Sequence, residues 1–504
     1  MDDDAGPSSN AGVERSRIGV ARPSAFAALA VAALTLWACG SDRGVPEGIA
    51  GSWHGGGVEG VIRGNCDSLL PAPKDGAAVV TIDGRTTYQR IRGFGASMRV
   101  FDDPRVTNTI DPTTKRATAI PPAVEQQKIL SSLWLDSTAL GLTRVRFMIG
   151  DGDTEPVNDN ADPLTADTSR FDFAWKNGDA QIDLVPSFLL GGVRSYYVSV
   201  PTLEPWMTEA TPQEYAEWLV MNLRHWRGRG AELLYISLKD RPGSAAGGSV
   251  LSGEYLRDLT KVLGARMNKE GLYAKIVLPD DVNPTEALAR LQVILADPDA
   301  RQYVGVVAYH PGDGGAQLQI KQLAAQYDIP VWVTGLDSPD WFDMATKLHE
   351  AIADGGASAV DYTWGFFGDQ ESGSQLIRLI TRNGTYAGFD FTKQYYALAQ
   401  YARYITPDAF RIAATSNDPE VEATAYVRDY DSRLTVVVTH LGKTNSRLVR
   451  VEMAAGNRCR GVVATVQTTD AVGLAALGNS PFKDARFGAT LPPRSVTTFV
   501  AGLD

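Results

Sequence analysis

The chain has 504 residues, of which 44% are hydrophobic and 21% charged, a composition typical of a soluble globular protein. This length suggests two or three domains, and this composition excludes a disordered, collagenous or coiled-coil chain. The 48 basic and 59 acidic residues give a formal net charge of −11, without a conspicuous basic block. We therefore expect no nucleic-acid partner.

The N-terminus has the organisation of an export signal. Three arginines precede an apolar run at residues 25–38 (AFAALAVAALTLWA). As a helix this run would rise only about 21 Å, too short to span a bilayer comfortably but suited to a signal-peptide core. The run ends in Leu36-Trp37-Ala38-Cys39, which resembles the lipobox of bacterial lipoproteins. We predict a lipoprotein signal peptide at residues 1–38, with an ordinary secretory signal as the alternative.

Lipidation of Cys39 would anchor the protein in the bacterial cell envelope, at the outer membrane or the cell surface. Residues 39–65 are rich in glycine and are predicted to form a flexible tether. Export would also place the protein where disulfides persist. The two remaining cysteines, Cys66 and Cys459, are predicted to form a disulfide, and two buried free thiols are the alternative.

Residues 87–404 alternate short apolar, β-rich runs with amphipathic helical stretches. Eight strands are predicted, at residues 88–94, 143–149, 195–200, 233–238, 275–278, 304–309, 331–334 and 359–364. Eight buried parallel strands with helices between them indicate an α/β fold, a (β/α)8 (TIM) barrel. One of the helices is predicted at Trp341–Ala353, with Ser338-Pro339 as its capping segment.

Residues 405–504 have a different pattern, with short β runs separated by turn residues and no convincing helix. This pattern is typical of an antiparallel β-sandwich. Residues 66–86 include a further strand-like run at 77–82, which is predicted to join the same sandwich.

Several strand ends resemble the family 30 glycoside hydrolases, retaining enzymes built from a TIM barrel and an appended β-sandwich. The first strand includes Gly93-Phe94-Gly95, similar to the opening motif of that family, and the second places Arg146 at the sugar-site arginine. Trp206-Met207 and Tyr309-His310 match two further family pairs. The resemblance implies a carbohydrate site that includes Arg146, Trp206, Tyr309 and His310. Trp364, at the end of the predicted eighth strand, could add an aromatic face for a sugar ring.

Both catalytic glutamates of that family are replaced in this sequence. Retaining glycosidases need two carboxyl groups about 5–5.5 Å apart, one as nucleophile and one as acid/base. With Pro242 held in register, Arg241 stands at the acid/base position, and Gly335 stands at the nucleophile position. Arginine does not deprotonate near neutral pH, and glycine has no side chain that could form a glycosyl ester. Restoring both glutamates together is expected to restore cleavage, unless the backbone at Gly335 resists a side chain.

Other carboxylates could have taken over this chemistry, and the candidates are Asp240, Asp337 and Glu204. Asp240 is adjacent to Arg241, but neighbouring side chains on a strand face opposite ways. Arg241 could instead present its guanidinium to sugar hydroxyls or to an acidic glycan. The oxygen-rich segment at residues 151–162 lacks the spacing of an EF-hand, and the five histidines form no zinc motif. We therefore predict neither a metal nor a cofactor.

Three hypotheses follow for the function. The preferred one is a non-hydrolytic, surface-tethered carbohydrate-binding protein, a pseudoenzyme on a glycosidase scaffold. The second is an active glycoside hydrolase or transglycosylase that uses displaced carboxylates on a β-linked polysaccharide. The third is a structural or interaction protein with a vestigial cleft. The expected partners are an oligo- or polysaccharide and, through the lipid anchor, a membrane; the protein is expected to be a monomer.

Overall fold

The computed structural model describes residues 76–136, 139–150, 178–204, 207, 212–312, 315–371, 373–428, 433–454, 462–482 and 486–502. Several of the predicted features lie outside these residues: Cys39, Cys66, Cys459, Trp206 and the segment at residues 151–162. Among the described residues, no helix combines the length and the apolarity needed to cross a membrane.

Eight parallel strands close into a barrel, in which each strand pairs with the next along the chain and β2 pairs with β9. The strands are β2 (Gly93–Met98), β3 (Arg144–Met148), β4 (Ser195–Ser199), β5 (Tyr235–Ser237), β6 (Lys275–Asp281), β7 (Val304–Tyr309), β8 (Val331–Leu336) and β9 (Ala359–Tyr362). Nearly all of their residues are buried, since helices cover the outside and side chains fill the inside. The predicted (β/α)8 barrel is confirmed. The first strand is shifted, because residues 88–90 belong to β1 (Ala78–Arg90), a strand of the second domain, and not to the barrel.

The helices are α1 (Pro104–Thr107), α2 (Ala123–Leu130), α3 (Gly178–Leu190), α4 (Pro212–Gly228), α5 (Gly253–Lys269), α6 (Pro284–Ala296), α7 (Pro298–Arg301), α8 (Gln317–Ala325), α9 (Trp341–Ala353) and α10 (Lys393–Ala402). A π-helical turn at Ser131–Leu135 follows α2 directly. The N-cap of α9 is Asp340, whose side chain accepts hydrogen bonds from the backbone N–H groups of Phe342 and Asp343. The helix therefore has the bounds predicted from the sequence, Trp341–Ala353, but its cap is Asp340 and not Ser338.

The second domain is one nine-stranded sheet with the strand order β18-β17-β20-β15-β14-β13-β1-β16-β19. Its strands are β1 (Ala78–Arg90), β13 (Phe410–Ser416), β14 (Val421–Arg428), β15 (Arg433–His440), β16 (Arg447–Met453), β17 (Val462–Thr468), β18 (Ala475–Pro481), β19 (Arg486–Leu491) and β20 (Ser495–Gly502). Phe487 on β19 and Phe499 on β20 lie far apart in this order, yet their ring centroids are 5.3 Å apart. The sheet therefore folds over its own core into two layers. It is antiparallel except where β1 pairs with β16.

A third sheet was not predicted from the sequence. It contains three strands: β10 (Trp364–Gly368), β11 (Gln375–Arg382) and β12 (Thr385–Phe391). The predicted strand at residues 359–364 is thus divided, since the barrel strand β9 ends at Tyr362 and Trp364 begins β10.

Candidate functional site at the carboxyl ends of the barrel strands

Two arginines on β3 point into the barrel and define two polar layers. Arg144 and Arg146 are two residues apart and therefore share a face of the strand. Arg144, near the start of β3, forms a bidentate ion pair with Asp361 at 3.0 and 3.1 Å. Arg146, further along, reaches the layer near the carboxyl ends of the strands, where TIM-barrel sites lie.

Arg146 is the centre of the upper layer. Its Nη1 donates to the carbonyl oxygen of Thr334 at 2.8 Å, and its Nη2 donates to the hydroxyl of Ser199 at 2.9 Å. The same Nη2 lies 2.7 Å from Asp240 Oδ1 and 2.8 Å from Asp280 Oδ2. Arg146 is only 2% exposed. Both terminal nitrogens of its guanidinium are therefore engaged by protein groups, and they hold the carboxylates of the site in position. The sugar contact predicted for Arg146 stays a prediction.

Asp280 is the central acid of this layer, and the sequence analysis missed it. It is fully buried and accepts hydrogen bonds from the hydroxyls of Ser199, Ser237 and Thr334. Its φ of 64° coincides with a break in register between β6 and β7. The sequence does contain a signal for Asp280, the Pro-Asp-Asp run that directly follows an apolar strand. Polar residues at the carboxyl end of a barrel strand usually belong to the site.

Asp240 also lies in the site, contrary to the argument from strand alternation. β5 ends at Ser237, so the alternation of side chains does not extend to residue 240. The Asp240 carboxylate lies between Arg146 and Arg241, whose Nη2 is 3.2 Å from Oδ2. The Arg241 side chain is 46% exposed. The structure thus places Arg241 at the surface of the site, above Asp240.

The ring of His310 occupies the space beside Gly335. A Cβ added to Gly335 would lie 2.0 Å from Nδ1 and 2.2 Å from Cε1 of His310. On its other side, Nε2 of His310 is 3.0 Å from Asp240 Oδ1 and 3.4 Å from Asp280 Oδ1. The obstacle to a side chain at residue 335 is therefore this imidazole, and not the backbone conformation that we considered from the sequence.

The charges of this layer hold both acids in the ionised form. Burial by itself would raise the pKa of Asp240, but Arg146, His310 and Arg241 hold it well below its ordinary value. The same balance of burial against Arg146 and His310 lowers the pKa of Asp280. Burial by itself would lower the pKa of His310, whereas its contacts with the two carboxylates raise it. Neither Asp240 nor Asp280 therefore stays protonated near neutral pH, as the acid of a glycosidase must.

Asp240, Asp280 and His310 also have the composition of a metal site, and one donor atom from each lies within 4.8 Å of the others. However, Nη2 of Arg146 lies at hydrogen-bond distance from both carboxylates. The guanidinium takes the position that a cation would need, so these residues fit an arginine better than a metal ion.

The remaining predicted site residues lie elsewhere. The hydroxyl of Tyr309 lies beside Gly355, where an added Cβ would be 2.4 Å from it, and the predicted sugar contact of Tyr309 stays a prediction. Trp364 is half-buried and packs against Arg99; the guanidinium carbon of Arg99 is 5.1 Å from the ring centroid of Trp364.

Of the two other predicted carboxylates, Asp337 accepts hydrogen bonds from the hydroxyls of Thr363 and Ser374 at 2.9 and 3.1 Å, which is a structural role. Glu204 is half-buried in the loop after β4.

The chain has relatives among known proteins, although no protein-family model matches it. The glucuronoxylanase XynC of Bacillus subtilis is 25% identical over 302 residues, covering 57% of this chain and 65% of that protein. This chain therefore spans less than two thirds of the length of that relative.

Solved structures share the fold over most of the chain. The family 30 endoxylanase from Clostridium papyrosolvens has a TM-score of 0.63 at 20% identity, covering 84% of this chain and 99% of its own. The catalytic domain of the family 30 xylanase C from Talaromyces cellulolyticus has a TM-score of 0.64 at 19% identity, with the same coverage. The endo-β1,6-glucanase BT3312 has a TM-score of 0.61 at 18% identity, covering 88% of this chain and 99% of its own. The resemblance to family 30 glycoside hydrolases that the strand-end motifs indicated is thus confirmed, together with the architecture of a TIM barrel and a β-rich domain.

Proposed function

We propose that this protein binds a carbohydrate at the carboxyl ends of the barrel strands without hydrolysing it. The observation that supports this most strongly is the contact between His310 and Gly335, because an imidazole fills the space in which a nucleophilic glutamate would begin. The glycan class is inferred from the relatives, whose names describe enzymes that act on xylans and on a β1,6-glucan.

The surface of the site supports binding rather than catalysis. Arg241 stands at the acid/base position, exposed and ion-paired to Asp240. A guanidinium keeps its proton near neutral pH, so it can donate hydrogen bonds to sugar hydroxyls or to a uronate but cannot act as acid and base in turn. General acid–base catalysis contributes about 10²–10⁴-fold to rate, and this contribution is missing here.

One observation favours a second candidate, a hydrolase with displaced groups. Oxygens of Asp240 and Asp280 lie within 4.8 Å of each other, close to the separation in retaining enzymes. Asp280 is fully buried, however, and cannot reach a sugar. A hydrolase would have to use Asp240 as nucleophile and His310 as acid, so Asp240→Asn would abolish its activity.

The test is a glycan-binding assay run beside a hydrolysis screen with xylo-oligosaccharides, glucuronoxylan and β1,6-gluco-oligosaccharides. We expect binding without turnover, and Arg241→Gln should weaken it about tenfold because a charge-assisted contact is lost. Arg85→Gln is the matched control, since Arg85 is exposed on β1, far from the barrel site. Turnover that Asp240→Asn abolishes would establish the second candidate. The absence of both binding and turnover would favour a structural role.

We also propose that the protein is exported and anchored to the cell envelope by a lipid on Cys39. The support is the apolar run at residues 25–38 and the lipobox-like sequence that ends it. Cys39→Ser should move the protein from the detergent phase to a soluble or unprocessed form in a phase-partitioning experiment. Unchanged partitioning of that variant would contradict lipidation.

A further inference from the structure

A large cavity opens at the opposite end of the barrel, where the strands begin. Its volume is about 660 Å³, within the range of small-molecule sites. Its walls come from the starts of β3, β4 and β5, from the segment after α10 and from the sheet domain. This cavity is independent of the carbohydrate site, which lies at the other end of the strands.

Arginine dominates the charged residues that line the cavity: Arg92, Arg144, Arg194, Arg403 and Arg428. Arg144 is balanced by Asp361 at 3.0 Å. Among the described lining residues Asp408 is the only acid, and it is itself paired with Arg90 at 2.8 Å.

Three of these arginines form no ion pair within the part of the chain that the structure describes. Arg92 and Arg194 are exposed and Arg403 is half-buried, and none of the three pairs with a described carboxylate. The chain as a whole has a formal net charge of −11. The cavity wall therefore carries unpaired guanidinium groups although the protein as a whole is acidic. Because the wall is concave, these groups create a positive potential in the cavity.

The inner end of the cavity is aromatic and polar. The Arg144 guanidinium carbon lies 3.8 Å from the ring centroid of Trp332, and the two side chains close the barrel at this end. Trp332 Nε1 and Thr143 Oγ1 are buried without a hydrogen-bond partner among the described residues. Since buried polar atoms are normally paired, this end of the cavity suits a polar occupant better than an apolar one.

We propose that this cavity binds a small oxyanion-bearing ligand, a carboxylate or a phosphate, through Arg92, Arg194 and Arg403. Guanidinium forks match the geometry of both oxyanions, which separates this chemistry from that of a neutral sugar. Binding is expected to weaken with added salt, because the exposed arginines are screened.

The test is calorimetric titration of the purified protein with D-glucuronate, inorganic phosphate and, as the uncharged comparison, D-glucose. At least one anion should bind while glucose does not, and the anion that binds identifies the preferred oxyanion. Arg194→Gln and Arg403→Gln should each weaken binding about tenfold. Arg382→Gln, which removes an exposed arginine at the end of β11, should leave anion binding unchanged.

A second variant tests the cavity without removing an arginine. Leu234 lines the cavity and is 57% exposed, so Leu234→Glu places a carboxylate there without disturbing the core. This change should abolish anion binding, whereas Leu318→Glu, at a comparably exposed leucine on α8, should not. The proposal is overturned if neither anion binds, or if binding survives Leu234→Glu. Loss of binding in Arg241→Gln but not in Arg194→Gln would also overturn it, by moving the anion to the carbohydrate site.

Discussion

Replacing Arg146 by methionine is expected to lower the free energy of unfolding by about 3–5 kcal/mol at neutral pH, the usual effect of removing one partner from a buried ion pair. Nη2 of Arg146 lies 2.7 Å from Asp240 and 2.8 Å from Asp280, which are 6% and 0% exposed. The substitution would leave two carboxylates inside the barrel, with His310 beside both of them and the half-exposed Arg241 beside Asp240 as the remaining cations. Urea titration of the parent and the variant measures the difference.

The stability difference between the parent and the Arg146 variant is expected to depend on pH. In the parent, the pKa values of Asp240 and Asp280 are lowered, so their contribution to stability is present above about pH 4, the ordinary pKa of an aspartate, and is lost as the pH falls further. Without Arg146, burial dominates and raises both values, so the variant regains stability as the carboxyls become protonated. The difference between the two proteins should therefore shrink from pH 7 to pH 4.5.

Neutralising the acids supplies the control. Adding Asp240→Asn and Asp280→Asn to the Arg146 variant should recover much of the loss at pH 7, because the cost comes from uncompensated charge and neighbouring changes are not additive. A loss below about 1 kcal/mol, or one that does not change with pH, would show that this layer is not held together by charge.

The sequence predicted the barrel because its signals are local and repeated. Each buried parallel strand is a short apolar run, and motifs such as Gly93-Phe94-Gly95 mark strand positions. The three-stranded sheet was missed because Trp364 follows β9 after a single residue, and no turn signal separates the two strands. A one-residue break between apolar strands is difficult to distinguish from a continuous strand.

The site was predicted less well, because its geometry depends on contacts between strands. Arg146 was found from a family motif, but its burial became clear only when Asp240 and Asp280 were brought to its guanidinium. Asp280 was overlooked because the predicted strand stopped at Leu278, and a proline at 279 weakens any strand pattern. His310 directly follows β7, and Gly335 lies on the neighbouring β8. The distance between these two residues depends on how the strands pair, which no local sequence pattern determines.

Restoring both glutamates by Arg241→Glu and Gly335→Glu is expected to fail while His310 is present. The Cβ of the new side chain would lie within 2.2 Å of two atoms of the imidazole. Even Gly335→Ala should cost about 1–3 kcal/mol in stability through overpacking. Adding His310→Ala should relieve this cost, and the double variant therefore tests the clash independently of catalysis.

The triple variant Arg241→Glu, His310→Ala, Gly335→Glu should then cleave aryl β-xylosides or xylo-oligosaccharides, while the parent does not. Removing His310 also removes a positive charge, which favours a raised pKa for one of the new carboxyl groups, as the acid role requires. We expect a rate at least 10²-fold above the parent, the lower end of what acid–base catalysis supplies. Either glutamate with His310→Ala alone should give far less, because the two groups act on one bond. If the triple variant is folded by circular dichroism and binds the glycan but does not cleave it, residues 241 and 335 are not what decides between binding and hydrolysis. The loops around the site would then no longer hold a sugar in a reactive position.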